Sequence, residues 1–183
     1  MIAAARTPQV RQSNLALVLD QLRRRGSSSR SELVAATGLT RSAIAGLVGE
    51  LETLGLVVET APARDGRPGR PSPVVQVDDR CVVALAIEIF VDEIGVAFVA
   101  LDGSVVASAR IARPRARVAA VETVADVAEL VGRLDAELRD ASTPGTRRLL
   151  VGCGEPVPGL VRELDGVVVA APNLGWIDVA LAD

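Results

Sequence analysis

The side chains best placed for chemistry in this chain are arginines. Two Gly-Arg-Pro triplets run in tandem, Gly66-Arg67-Pro68 and Gly69-Arg70-Pro71, in a segment that also holds Arg64 and Asp65. Proline stiffens such a loop and glycine lets its backbone approach another surface, so Arg67 and Arg70 are held forward on a short, rigid projection. That arrangement suits the minor groove of DNA, where a narrow groove deepens the negative potential. The repeated triplet is similar to the core of an AT-hook.

Composition excludes most other chemistry. The chain has no histidine and two cysteines, Cys81 and Cys153. Neither a four-ligand Cys/His zinc site, nor a disulfide framework, nor histidine-dependent acid-base or triad catalysis can be assembled within it. Both thiols are expected as buried apolar groups. Gly152-x-Gly154 lacks the setting of a nucleotide loop, because Pro156 and Pro158 follow it where a helix is required. No catalytic residue, metal or cofactor is therefore expected. The apolar stretches are broken by charges before the roughly 18 residues needed to cross a bilayer, and the N-terminus has no secretory core. The expectation is a soluble, cytoplasmic protein with no membrane partner.

The elements that must position the arginines are legible from spacing. Ser13 is placed to cap a helix whose Leu15, Val18, Leu19 and Leu22 share one face, ending in Arg23-Arg24-Arg25 before Gly26. Ser29-Arg30-Ser31-Glu32 has capping-box spacing and opens a short helix stopped by Gly38. Thr40 caps a third, with Ile44, Leu47, Val48, Leu51 and Leu54 inward and Gly55 as its stop. Two helices joined by a short Gly-containing turn make a helix-turn-helix unit. Strands at 56–60 and 74–77 then flank the basic loop, about 61–73, as a wing. Outward positions on the third helix are Ser42, Gly46, Gly49 and Thr53, with Arg41 flanking. Thr40, Arg41 and Ser42 can hold phosphates or base edges and Arg30 a phosphate, but Gly46 offers no side chain to read bases. Base discrimination thus shifts from this helix toward the wing.

Charge divides in the same way. Residues 1–73 hold 10 Arg against 6 acids and residues 74–183 hold 10 Arg against 17 acids. A basic front and an acidic back suggest that only the front meets a polyanion.

From Val82 the pattern becomes apolar runs at 82–89, 95–101 and 104–111, read as an antiparallel meander around an Asp102-Gly103 turn. A long helix follows, with Val121, Val124, Val127, Ala128, Val131, Leu134 and Leu138 at helical spacing. Leu149 to Gly154 reads as a buried strand. This βββαβ order fits the first half of a ribonuclease H-like, actin-like domain, and also several other α/β domains. The fold class is thus α+β in two domains: a winged helix-turn-helix over 1–77 and a partial actin-like α/β domain over 78–183.

Five stretches carry a resemblance to a known family: Ser29-Arg30-Ser31-Glu32-Leu33, Thr37-Gly38-Leu39-Thr40-Arg41, the Gly-Arg-Pro wing, Val157-Pro158-Gly159-Leu160-Val161 and Ala171-Pro172-Asn173-Leu174-Gly175-Trp176. In these the chain resembles the ROK family (repressors, open reading frames and sugar kinases) from about Arg11 onward. The resemblance implies a homodimeric repressor of carbohydrate-utilisation genes, binding a double-stranded operator and sensing a sugar or sugar phosphate. It also implies that Gly159 and Asn173 lie along the sugar cleft as candidate effector contacts; a turn glycine and a strand-capping Asn are the alternatives. The chain departs from the kinase members in having Glu88-Ile89-Phe90-Val91-Asp92 where they carry an Asp and a Gly-Gly-Thr phosphate loop. Glu88 is expected as a solvated or hydrogen-bonded strand residue and Trp176 as a core or lid anchor. The sequence stops at Asp183, before the family's Asn-Asp pair and Cys-rich zinc motif, which implies a truncated sensor. A kinase relative, or a remnant that binds DNA without sensing sugar, are the alternatives.

Overall fold

The computed structural model describes residues 6–61, 73–113, 118–141 and 148–181. The chain divides into two compact units, the first comprising Met1–Val82 with the turn Leu101–Ser104, the second the remainder.

The first unit runs α1 (Arg6–Arg25), β1 (Ser27–Ser29), α2 (Arg30–Thr37), α3 (Arg41–Thr53), β2 (Val57–Thr60) and β3 (Val74–Val77). It is a winged helix-turn-helix. Each helix stops where expected: Gly26 (φ 79°), Gly38 (φ 71°) and Gly55 (φ 69°) turn left-handed, a conformation cheap only for glycine. Val18, Leu22, Leu33, Ile44, Leu47, Val48 and Leu51 close with Val57, Val75 and Val77 into one core. β3 lies between β1 and β2, both antiparallel to it, with Ser29 opposite Val74 and Val74 opposite Thr60. Strand β1 has no apolar residue and no periodicity to announce it.

Two expectations fail here. Ser13 does not cap α1, which begins at Arg6; the Ser13 hydroxyl instead donates to the Gln9 carbonyl at 3.0 Å, one turn back. Leu54 is exposed, because the chain leaves the helix there and the next inward residue is Leu56.

The second unit carries β4 (Val82–Ile89), β5 (Glu93–Ala100), β6 (Val105–Ala112), α4 (Ala120–Asp140), β7 (Leu149–Gly154), β8 (Leu160–Val161), β9 (Val167–Ala171) and β10 (Trp176–Ala180). The meander is present, in a sheet ordered β6-β5-β4-β7 with α4 against β5 and β6. Alternate residues of β4 and β5, Leu85, Ile87 and Ile89 with Ile94, Val96 and Phe98, point to one core. A second sheet, β10-β9-β8, adds Val168, Ala171, Leu174 and Trp176 to that core.

Three more readings are corrected. The buried stripe of α4 is Thr123, Leu130 and Leu134, flanked by Val127, Val131 and Leu138. Val121 and Val124 face solvent, because the helix is rolled so that Thr123 meets Arg113 beneath it. β7 is paired with β4 but exposed along its whole length, since among the described residues no layer covers it. The cysteines are not buried: Cys153 lies on that open strand and Cys81 in a half-exposed turn.

Candidate nucleic-acid interface

The ends of α2 and α3 are built by their caps. Ser29 accepts from the Glu32 amide at 3.2 Å while the Glu32 carboxylate accepts from the Ser29 amide at 2.7 Å. These bonds from Ser29 hold the Glu32 carboxyl below the ordinary carboxylate range, with the Arg25 charge adding a smaller contribution. The Gly38 amide closes α2 on the Val34 carbonyl at 3.0 Å, and the Thr37 hydroxyl bonds Leu33 at 2.7 Å. After the Gly38-Leu39-Thr40 turn, the Thr40 hydroxyl accepts from the Ala43 amide at 3.2 Å and lies 3.2 Å from the Ser42 hydroxyl. Thr40, Arg41 and Ser42 are thereby brought together, all exposed, at the N-terminal pole of a 13-residue helix. Helix N-termini present amide hydrogens and positive potential to an anion.

The arginines of this unit differ sharply in what they already hold. Arg11 pairs with Glu50 at 2.7 Å, joining α1 to α3, and Arg24 pairs with Asp20 at 2.7 Å. Arg30 is not free for phosphate as it stands: its Nη2 donates to Glu59 of β2 at 3.1 Å, and its buried Nε has no partner among the described residues. Arg41 and Arg25 make no ion pair with any described residue and are exposed. Arg25, at the last turn of α1, did not stand out from its arginine run in the sequence. Only the pairing of its neighbours distinguishes it.

The outward face of α3 is as small as its sequence suggests. A Cβ added at Gly46 or Gly49 would meet nothing within 4 Å, so neither glycine is required by packing in the chain itself. Arg67 and Arg70 lie outside the described residues. The strands that begin and end the wing are held in antiparallel register, Thr60 against Val74.

The two candidate effector residues of the second unit fall at one end of β9. Gly159 is pressed against it: a Cβ there would come within 2.6 Å of the Ala170 carbonyl oxygen, so glycine is demanded by packing. Asn173 is exposed in the turn after β9, which Gly175 closes by donating to Ala171 at 2.9 Å. Trp176 is a core anchor, 3% exposed, its indole N–H donating to the Val118 carbonyl at 2.9 Å. Glu88 is held by Arg110 at 2.8 Å, beside a shallow groove of about 310 Å³ on the open face of the meander. No group of acids and cysteines fit to hold a metal occurs among the described residues. No helix among them is long and apolar enough to cross a membrane.

Comparison with known proteins places these features. A model of the MarR family matches residues 16–68. A protein described as a candidate xylose repressor, from Caldicellulosiruptor sp. (strain Rt8B.4), is 25% identical over 174 residues, covering 94% of this chain and 41% of its own length. The uncharacterized protein y4fQ of Sinorhizobium fredii (strain NBRC 101917 / NGR234) is 29% identical over 148 residues, covering 79% and 35%. Among solved structures, a ROK family transcriptional regulator, a homologue of the E. coli MLC protein, superposes with a TM-score of 0.66 at 20% identity over 94% of this chain and 42% of that one. The chain spans about two fifths of the length of these proteins. The ROK resemblance read from the sequence is met in the fold, across both units.

Proposed function

We propose that this chain, whose fold matches about two fifths of a ROK-family transcriptional regulator, binds double-stranded operator DNA through its first unit and represses carbohydrate-utilisation genes. The observation that carries this reading is the α3 pole: an uncommitted Arg41 beside two hydroxyls, on a helix whose outward face has no bulk to hold it off a groove. In this reading Thr40, Arg41 and Ser42 meet the major groove, and Arg67 and Arg70 the minor groove. Arg30 reaches a phosphate by exchanging Glu59 for it. The protein acts in the cytoplasm as a homodimer on a two-fold operator, and assigns no residue to catalysis. A sugar or sugar phosphate is the effector class, with Gly159 and Asn173 as candidate contacts. The likeness to a regulator and to a protein named for xylose repression supports both parts of the reading.

The test is an anisotropy titration of a labelled duplex selected from a random pool by the full chain. Wild type is compared with Arg41→Ala and with an Arg67→Ala/Arg70→Ala double variant. The expected result is weaker binding for both, with the salt slope falling by about one for each phosphate that an arginine no longer neutralises. Unchanged affinity in both variants would sink the interface.

A further inference from the structure

We infer that the N-terminal end of α4 is a binding site for a small oxyanion, a phosphoryl or carboxylate group, held by the Arg113 guanidinium. Arg113 leaves the end of β6 and turns inward: only 8% of it is exposed, its amide donates to the Asp92 carbonyl at 2.9 Å, and its Nη2 donates to the Thr123 hydroxyl at 2.7 Å. An arginine stays charged when buried. Here the Nε and Nη1 atoms are buried with no hydrogen-bond partner among the described residues. Native interiors leave few such groups, and an unpaired buried charge is among the costliest.

What the guanidinium is tied to makes the imbalance larger. Thr123 is fully buried in the first turns of α4, and its hydroxyl also donates to the Ala119 carbonyl at 3.2 Å. Arg113 is thus fastened to the positive pole of a 21-residue helix, where a cation is unfavourable. The N-cap is Ala119, which supplies no side-chain acceptor. The amides of Glu122 and Thr123 both turn back to the Ala119 carbonyl at 3.1 Å, while those of Ala120 and Val121 have no acceptor within the helix. Glu122, the acid of the first turn, is exposed to solvent. Two positive ends therefore abut with donors still to be satisfied, and an oxyanion would accept from both. The approach to the helix is fixed on its other side by the Trp176 bond to Val118. The site lies in the second unit and does not depend on the DNA-binding reading.

The experiment is a titration of the ¹⁵N-labelled full chain with sodium phosphate and, separately, sodium acetate, at ionic strength fixed with sodium chloride. Saturable shifts are expected at the Ala120 and Val121 amides and at the Arg113 Nε–H. Saturation by phosphate identifies a phosphoryl ligand, and saturation by acetate a carboxylate. Arg113→Met should weaken binding by about tenfold or more, because its charge-assisted bonds go with the guanidinium. Thr123→Val keeps the charge and volume but releases the guanidinium, and should weaken it by less. Shifts that do not saturate with either salt, or that are the same in Arg113→Met, would overturn the proposal. Should Arg113→Met fail to fold, the wild-type Nε–H resonance decides alone.

Discussion

The helix α3 and the strand β7 are both short, both apolar on paper, and end up in opposite circumstances. Four apolar residues of α3 are buried against a core that closes on itself within the first unit. In β7, by contrast, Leu149, Leu150 and Val151 are 62%, 51% and 58% exposed, although the strand is hydrogen-bonded into its sheet. Backbone pairing places a strand; only a second layer buries it. The first unit has its layers in hand, helices packed against a three-stranded sheet. The second has its meander covered by α4 and its core completed by the separate β8–β10 sheet, with β7 beyond their reach.

That contrast gives predictions of decreasing size. Ile44→Ala, at a fully buried position of α3, should cost about 2–5 kcal/mol in urea unfolding, whereas Leu149→Ala should stay within about 0.5 kcal/mol. Equal costs would mean that β7 is covered after all. Ser29→Ala removes an acceptor that the first unit depends on and should cost about 1 kcal/mol, read as a lowered urea midpoint. The smallest effect is a pH dependence. The Glu32 carboxyl is lowered in the folded chain by its bonds to Ser29, so its stabilisation is complete above roughly pH 4.3, the ordinary glutamate value, and fades as pH falls through the lowered one. Melting temperatures across that range should fall less steeply for Glu32→Gln, which keeps the cap without the charge. Parallel curves would remove Glu32 from the acid response.

The sequence shows most where one local rule decides the outcome. Caps at Ser29 and Thr40, stops at Gly38 and Gly55, and the inward face of α3 from Ile44 to Leu51 depend on residues within a turn of each other, and these are found as read; only Leu54, at the helix end, is not. What escaped depends on distant neighbours. Nothing in Ser27-Ser28-Ser29 announces a strand; it becomes one because β3 offers it an edge. The roll of α4 cannot be read from its valines, because a threonine that bonds Arg113 takes the innermost position. β7 has the composition of a buried strand, and burial depends on what lies above it. In the candidate interface, Thr40, Arg41 and Ser42 could be named from cap position alone. That Arg30 is bonded to Glu59 while Arg41 and Arg25 are uncommitted needed three dimensions.

Ser29 holds two offices in the first unit. It is the last residue of β1, opposite Val74 at the foot of the wing, and it is the cap on which α2 begins. If the hairpin is drawn toward a groove as proposed, it pulls on Val74, and through one rung of the ladder on the residue that caps α2. The wing and the helix-turn-helix therefore share a mechanical joint. Under the proposed DNA-binding reading, a displacement of one would be passed to the other through this single residue, coupling the two grips.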